Sequence, residues 1–414
     1  MKKLASLLFA LIFCASLVNG QNKDFNISYP TPGRISIIAS TPIPEGREAT
    51  INDYYDLIDC GFNMGMSSGT LDFFNKQFSL IKGLDFKYMV QNADLLSDKR
   101  STFIIAYSKN PQFAGWKFRD EPQYKDLEQL KQQYDAQFKA DPHNLIYVNL
   151  VGVLEKTFTG NLKSFYSYLE EIQSLIQPEI WSYDYYPILT KNGKLQIEYD
   201  NFYMALESFK KISKTTGKPF WAFCESMAYK ASSYSRPVAT EAYLRYEAFT
   251  ALAYGAQGIV YWTYGLRKSN SAEDYTSALV NLDGKKTKAW YAAQKVNKEI
   301  QKFNHIFYQC DVKDLRHTGS KIYTSTVKLN GKFGPFRMIR SQDSGVVASL
   351  IENNNQEYVV IVNRDVLKKQ KISLELLPNQ RVVELTGVKT KEYNWKKDIN
   401  LVLDPGGYSI FQVK

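Results

Sequence analysis

From Arg34 to about Phe307 the chain alternates short β-branched or aromatic runs with longer stretches of helical period. Ile35-Ser36-Ile37-Ile38-Ala39 predicts a first strand, and Thr50 caps a helix that stops at Gly61. Phe62 to Met66 predicts a second strand and Leu71 to Ile81 a helix closed by Gly83. Phe86 to Val90 is the third strand, followed by a helix near Lys99 to Tyr107 and a fourth strand ending at Glu121. The rhythm continues with a helix over Tyr124–Lys139, a strand over Leu145–Asn149, a helix over Leu162–Ile176 and a strand over Glu179–Asp184. A helix over Phe202–Ser213 leads to the strand ending at Glu225. A helix over Thr240–Tyr254, the strand Gly258–Trp262 and a helix over Ala289–Phe303 complete the series. Eight strands and about as many helices predict an α/β chain folded as a (β/α)₈ TIM barrel. An open doubly wound sheet is disfavoured, since no Gly-x-Gly-x-x-Gly turn follows the first strand.

After about Tyr308 the period changes. Val346–Ile351, Glu357–Val362, Lys371–Leu376, Arg381–Leu385, Ile399–Leu403 and Tyr408–Val413 are short alternating runs separated by turn residues. They predict an all-β sandwich. The division expected is 1–20 as a leader, 21–307 as the barrel and 308–414 as the sandwich, the last ranked as a stabilising appendage ahead of a sugar-binding module.

The start of the chain changes the picture of where it works. Lys2 and Lys3, the apolar run Leu4–Phe13 and the small residues at Val18-Asn19-Gly20 have the form of a signal peptide. Secretion or periplasmic export is therefore expected. Phe13 before Cys14 argues against a lipid anchor, and no apolar run reaches spanning length. Three cysteines remain, Cys60, Cys224 and Cys310, without a Cys-x-x-Cys pair. His143, His305 and His317 show no metal-ligand spacing. Neither a metal nor another cofactor is expected. The formal charge of +10 is spread over lysines interleaved with acids, which fits a solvated surface rather than nucleic-acid binding. Oligomeric state is not readable.

Two segments carry the candidate chemistry. Gly115-Trp116-Lys117-Phe118-Arg119-Asp120-Glu121-Pro122 and Pro219-Phe220-Trp221-Ala222-Phe223-Cys224-Glu225 are strand-like runs that each end on a glutamate. A barrel delivers every strand end to one rim. Two carboxyl groups there are what acid-catalysed hydrolysis of a glycosidic bond needs. Strand alternation admits one of Asp120 and Glu121 squarely to the mouth. Glu121 is the choice, with Asp120 as its support or a helix cap. Asp184 ends the sixth strand as a sugar ligand, a support or a reserve carboxylate, with Tyr186 just beyond. Trp262 and Tyr264, closing the eighth strand, are candidates for a stacking floor, against ordinary core packing. Asn149, Gln91 and Asn92 could donate to hydroxyls. Cys224 has no histidine at a suggestive position and reads as a small core residue. No Gly-x-Ser-x-Gly elbow is present, which disfavours a serine hydrolase.

In this order of parts the chain resembles the clan A glycoside hydrolases. The likeness rests on the Glu121 and Glu225 strand ends, on Trp262 and on the C-terminal sandwich. Asp120 stands where that clan usually has an asparagine; the Asp-Glu-Pro variant resembles secreted barrel proteins of gut Bacteroidetes. The resemblance implies a carbohydrate substrate, Glu121 as acid/base, Glu225 as nucleophile and retention of configuration. A non-catalytic carbohydrate-binding barrel, or another hydrolase using Asp184, are the alternatives.

Overall fold

A computed structural model describes residues 30–152, 164–387 and 389–414. The expected leader, 1–20, lies outside the described residues. Strands β1 (Ser36–Ser40), β2 (Met64–Ser68), β3 (Lys87–Gln91), β4 (Phe113–Asp120), β5 (Ile146–Val151) and β6 (Trp181–Asp184) are followed by a hairpin, β7 (Ile188–Lys191) and β8 (Lys194–Ile197). Next come β9 (Phe220–Glu225), β10 (Ala228–Lys230), β11 (Ser235–Arg236), β12 (Gly258–Trp262) and β13 (Asp274–Ser277). β1 to β6, β9 and β12 form a closed parallel barrel in the order β1-β12-β9-β6-β5-β4-β3-β2. Helices α1 (Ile51–Asp59), α2 (Leu71–Leu80), α3 (Arg100–Tyr107), α4 (Leu127–Ala140), α5 (Phe165–Ile176), α6 (Tyr199–Thr216), α7 (Glu241–Ala253) and α8 (Lys288–Lys302) follow the barrel strands in turn. The TIM barrel predicted from periodicity is therefore present.

Local chemistry sets the element ends. The Asp53 carboxylate accepts the Thr50 amide at 2.7 Å, one arm of a capping box that starts α1. Thr70 and Thr240 cap α2 and α7 through their side chains. Alternation then sorts the strands into two cores. Inward residues such as Ile38, Met64, Met89, Tyr147, Trp221 and Val260 fill the barrel, while outward ones pack against the helices. Gly258 makes room for the large inward ring of Trp221, which a Cβ at that position would meet at 2.4 Å.

The sequence pattern missed one piece of this half. β7, β8, β10, β11 and β13 form a second sheet, in the order β13-β10-β11-β7-β8, from the loops after the sixth, seventh and eighth barrel strands. It stands at the C-terminal rim as a wall beside the barrel mouth. These strands are two to four residues long, too short to show a period.

Beyond the barrel, β14 (Asp311–His317), β15 (Phe336–Ser341), β16 (Val346–Asn353), β17 (Gln356–Asn363), β18 (Gln370–Leu376), β19 (Arg381–Glu384), β20 (Lys391–Asn394), β21 (Ile399–Leu403) and β22 (Tyr408–Val413) form two antiparallel sheets. The orders are β14-β16-β17-β22-β19-β20 and β15-β18-β21. Their facing sides enclose Phe336, Ile339, Val359, Ile361, Leu374 and Phe411. All six runs read from the sequence are strands. The three that went unread, β14, β15 and β20, are sheet edges, where charged side chains blunt pairing and erase the alternation.

The other face of the six-stranded sheet packs on the barrel. Ten of the thirteen residues of α7 are buried. Phe249 on that helix stacks on Tyr408, ring centroids 3.7 Å apart. Ser349 Oγ donates to the Ala253 carbonyl at 2.7 Å. Arg364, 2% exposed, donates to the Thr318 and Lys321 carbonyls at 2.6 and 3.0 Å. One apolar core thus runs from barrel helices into the sandwich.

Candidate active site

At or near the C-terminal end of each barrel strand stands an inward polar or aromatic residue: Ser40, Ser68, Gln91, Asp120, Asn149, Asp184, Glu225 and Trp262. One layer deeper the inward residues of β1, β2, β3, β9 and β12 are apolar. The change from an apolar lining to a polar ring falls at the C-terminal rim, where barrel sites are built.

Asp120 reaches that ring by an irregularity. Lys117 pairs with Tyr147 in register, whereas Arg119 pairs with Val148, so β4 bulges between them. The bulge changes the phase of alternation, and Lys117 and Asp120 both face the mouth. Lys117 Nζ lies 3.1 Å from Asp120 Oδ2. The choice between Asp120 and Glu121 therefore needs correcting. Asp120 lines the cleft directly. Glu121, just past the strand, takes a left-handed backbone conformation (φ +45°) that turns it back toward the mouth, its amide donating to the Asn149 carbonyl at 2.9 Å. Strict alternation would have admitted one carboxylate; the bulge and the turn deliver two.

Asn149 organises them. Its Nδ2 donates to Asp120 Oδ1 at 3.1 Å and to Asp184 Oδ1 at 2.9 Å, while its Oδ1 accepts from Ser182 Oγ at 3.1 Å. Ser182 is in turn 2.6 Å from the Tyr147 hydroxyl. Asn149 is 1% exposed, so its amide protons are committed to the aspartates. The role read for it, donor to a sugar hydroxyl, is replaced by that of a spacer holding two carboxylates. Glu121 stands at the surface as a residue, but its carboxyl is drawn in and hydrogen-bonded to Asp184. Two carboxyl groups held close to one another favour the protonated form. Burial and then the Asp120 charge push the Glu121 carboxyl up. Burial and then the charges of Glu121 and Asp120 push Asp184 well above its ordinary range.

The seventh barrel strand ends differently. Trp221, Phe223 and Glu225 alternate inward on β9, and Glu225 is 5% exposed. Its carboxylate lies 3.2 Å from Arg236 Nε. The same guanidinium donates through Nη1 to the Tyr186 and Ile188 carbonyls, at 2.5 and 3.0 Å, so it ties the wall sheet to the barrel. From below, Glu247 on α7 accepts the Glu225 amide at 2.7 Å. Burial dominates and pushes Glu225 upward, with Arg236 acting against it. Glu247, which has no cation in contact among the described residues, is pushed up by burial to about 8.

Trp262 is in register with Glu225 across β12 and β9 and joins Thr263 through a cis peptide bond. Tyr186 stacks on it at 5.7 Å, and Tyr229 and Tyr275 meet its edges. Tyr264 does not belong to this group. It is 2% exposed, its hydroxyl accepts the Trp290 indole N–H at 3.1 Å, and it packs in the outer core against Phe62. Reversal of direction after the strand end carries it behind the rim, which corrects its reading as a stacking residue. Gln91 lines the mouth, accepting from Ser68 at 2.7 Å. Asn92 instead caps a turn through the Asp94 amide. Cys224 faces the outer core, buried and free.

An open cavity of about 560 Å³ lies beside the ring, bounded by Ser40, Ser67, Ser68, Gln91, Lys117, Asp120 and Trp262, and by the loops carrying Glu45, Arg47 and Arg267. Its aromatic wall and hydroxyl and carboxylate groups suit a polyhydroxylated ligand. Sequence reading missed Lys117, Arg236 and Glu247. A single cation on a strand and a single acid in a helix carry no periodic signal, although a glutamate inside the largely apolar stretch Tyr246–Ala253 was an available warning.

The family 42 glycoside hydrolase model, described as β-galactosidase, matches residues 153–303, just over a third of the chain. That stretch includes Glu225 and Trp262 but not Glu121. Among solved structures, the β-galactosidase of Bacillus circulans sp. alkalophilus superposes with TM-score 0.62 over 92% of this chain and 99% of its own, at 9% identity. A family 5 glycoside hydrolase from Bacteroides vulgatus gives TM-score 0.55 over 92% of this chain and 88% of its own, at 12% identity. The chain spans 60% of a β-galactosidase from the psychrophilic Marinomonas ef1, at 10% identity and TM-score 0.47. No curated protein matches the sequence. The barrel and its sandwich thus share their fold with these glycoside hydrolases, and the segment that carries Glu225 and Trp262 resembles family 42.

Proposed function

We propose that the protein cleaves O-glycosidic bonds of an oligo- or polysaccharide with retention, after export directed by residues 1–20, with 21–307 as the catalytic unit and 308–414 as its support. Glu121 gives a proton to the departing oxygen while Glu225 attacks the anomeric carbon. Glu121 then takes a proton from the water that releases the sugar from Glu225. The observation that carries this reading is the convergence on Tyr186. Tyr186, two residues beyond Asp184, stacks on Trp262, which is in register with Glu225, and Asn149 joins Asp184 to Asp120, the neighbour of Glu121. The raised Glu121 suits an acid that must hold its proton at rest, and Arg236 supports the anionic form of Glu225. The name of the matched family makes a β-galactoside the first substrate to offer.

The burial of Glu225 favours a second reading. Both its carboxyl oxygens are shielded from solvent, among Tyr186, Arg236 and Trp262, so the sugar must displace part of this cover. A barrel that binds saccharide without turnover would keep such a closed arrangement. The two readings separate on aryl β-galactosides. The parent should hydrolyse them, with the first-formed product in the β configuration by NMR. Glu225→Gln should lose on the order of 10⁴-fold or more in kcat, and Glu121→Gln about 10²- to 10⁴-fold, with sugar binding intact in both. Binding by the parent without turnover across a glycoside panel would select the second reading.

A further inference from the structure

We propose that the cleft takes a saccharide carrying an anionic substituent, a uronate carboxylate or a sulfate ester, held chiefly by Arg267. This rests on the reading of the cleft as the substrate site and adds the charge of what enters it. Three cations line the 560 Å³ cavity, Arg47, Lys117 and Arg267, against two acids, Glu45 and Asp120. Arg47 is paired with Asp53 at 2.5 Å and Lys117 with Asp120 at 3.1 Å. Glu45 accepts the Lys268 backbone amide at 3.1 Å. Arg267 is half-buried and lies over the Tyr275 ring, 5.5 Å from its centroid. Among the described residues no carboxylate comes within ion-pair distance of it.

That contrasts with three other arginines that are drawn in; the half-buried Arg119, which does not line this cavity, also meets no carboxylate among the described residues. Arg236 meets Glu225, Arg245 meets Glu241 and Glu299, and Arg364 is held by two carbonyls. Withdrawing a guanidinium from water without an anion is unfavourable. Its planar fork fits the paired oxygens of a carboxylate or sulfate. A neutral sugar would leave the charge uncompensated. Tyr275, which also meets the edge of Trp262 at 6.1 Å, sets the guanidinium beside the aromatic wall, so the substituent would lie on the sugar unit packed against Trp262.

The test is equilibrium binding to the full chain at low salt, by calorimetry, of methyl β-galactoside, methyl β-galacturonide and the 6-sulfated methyl β-galactoside. At least one anionic glycoside should bind about tenfold or more tightly than the neutral one, the preference should shrink with added salt, and the tighter of the two names the substituent. Arg267→Gln should abolish the preference, while Arg267→Lys should keep part of it with the fold unchanged by circular dichroism. Equal affinity for neutral and anionic glycosides, or a preference that survives Arg267→Gln, would overturn the proposal. Because the readout is binding, the outcomes stay separate. Anionic preference without hydrolysis by the parent removes the catalytic reading alone. Hydrolysis of the neutral glycoside with no anionic preference removes this one alone.

Discussion

The ends of the fourth and seventh barrel strands both present a glutamate, but they solve opposite electrostatic problems. Around Glu121 the neighbours are carboxyls, Asp120 and Asp184, held by the uncharged Asn149, and among the described residues the cation in contact with the group is Lys117, on Asp120. Crowded like charges and burial favour the protonated form there. Around Glu225 a buried arginine supplies a positive charge 3.2 Å away. Burial pushes both carboxyls upward, but at Glu225 a cation opposes that push and at Glu121 neighbouring carboxylates add to it, a difference of the kind that separates acid from nucleophile in paired-carboxylate sites.

Removing the arginine attacks that contrast hardest. Arg236→Met strands Glu225 as a buried, unpaired acid, and a loss of about 3–5 kcal/mol is expected in denaturant unfolding. Arg236 lowers the Glu225 pKa, so without it the acid limb of the kcat/KM profile should move to higher pH. An unmoved limb would mean that Glu225 ionisation does not govern the reaction. Asp120→Asn tests the other side more gently. Asp120 raises the Glu121 pKa, so its neutralisation should move the basic limb to lower pH, while folding changes little because an amide oxygen can still accept from Asn149. A basic limb that stayed in place would deny Glu121 the role of acid.

The smallest effect concerns Glu247, which touches the comparison only through the Glu225 backbone. Its folded pKa of about 8 exceeds that of an ordinary glutamate, about 4.3. Between those values the folded chain holds a proton that the unfolded chain has released. Its contribution is therefore full below the unfolded pKa, is lost as pH rises toward 8, and changes no further above it. Glu247→Gln keeps an oxygen for the Glu225 amide and should flatten the decline in Tm between pH 5 and 8. An unchanged slope would assign the decline to other groups.

The contrast was half legible in the chain. Apolar runs ending on Glu121 and Glu225 marked both positions, and strand periodicity with glycine stops placed the barrel around them. What distinguishes the two environments was hidden. Arg236 lies eleven residues beyond Glu225 on a strand of two residues, and only the folding of the wall sheet brings it back. The bulge between Lys117 and Arg119 leaves no trace in residue type, so alternation assigned Asp120 to the wrong side. Tyr264 was misplaced for a related reason: two residues past a strand end, direction is set by the turn and not by the strand's period.

The sharing of α7 between barrel and sandwich has a practical consequence. One helix carries Glu247, which anchors the backbone of Glu225, and Phe249, which lies flat against Tyr408. An engineer wishing to trim this protein to its barrel, or to graft that barrel onto a foreign partner, would find no seam to cut. Removing the C-terminal sheets would bare the side of α7 that faces Tyr408, two residues from its grip on the strand of Glu225, so solubility and the shape of the cleft would be lost in the same stroke.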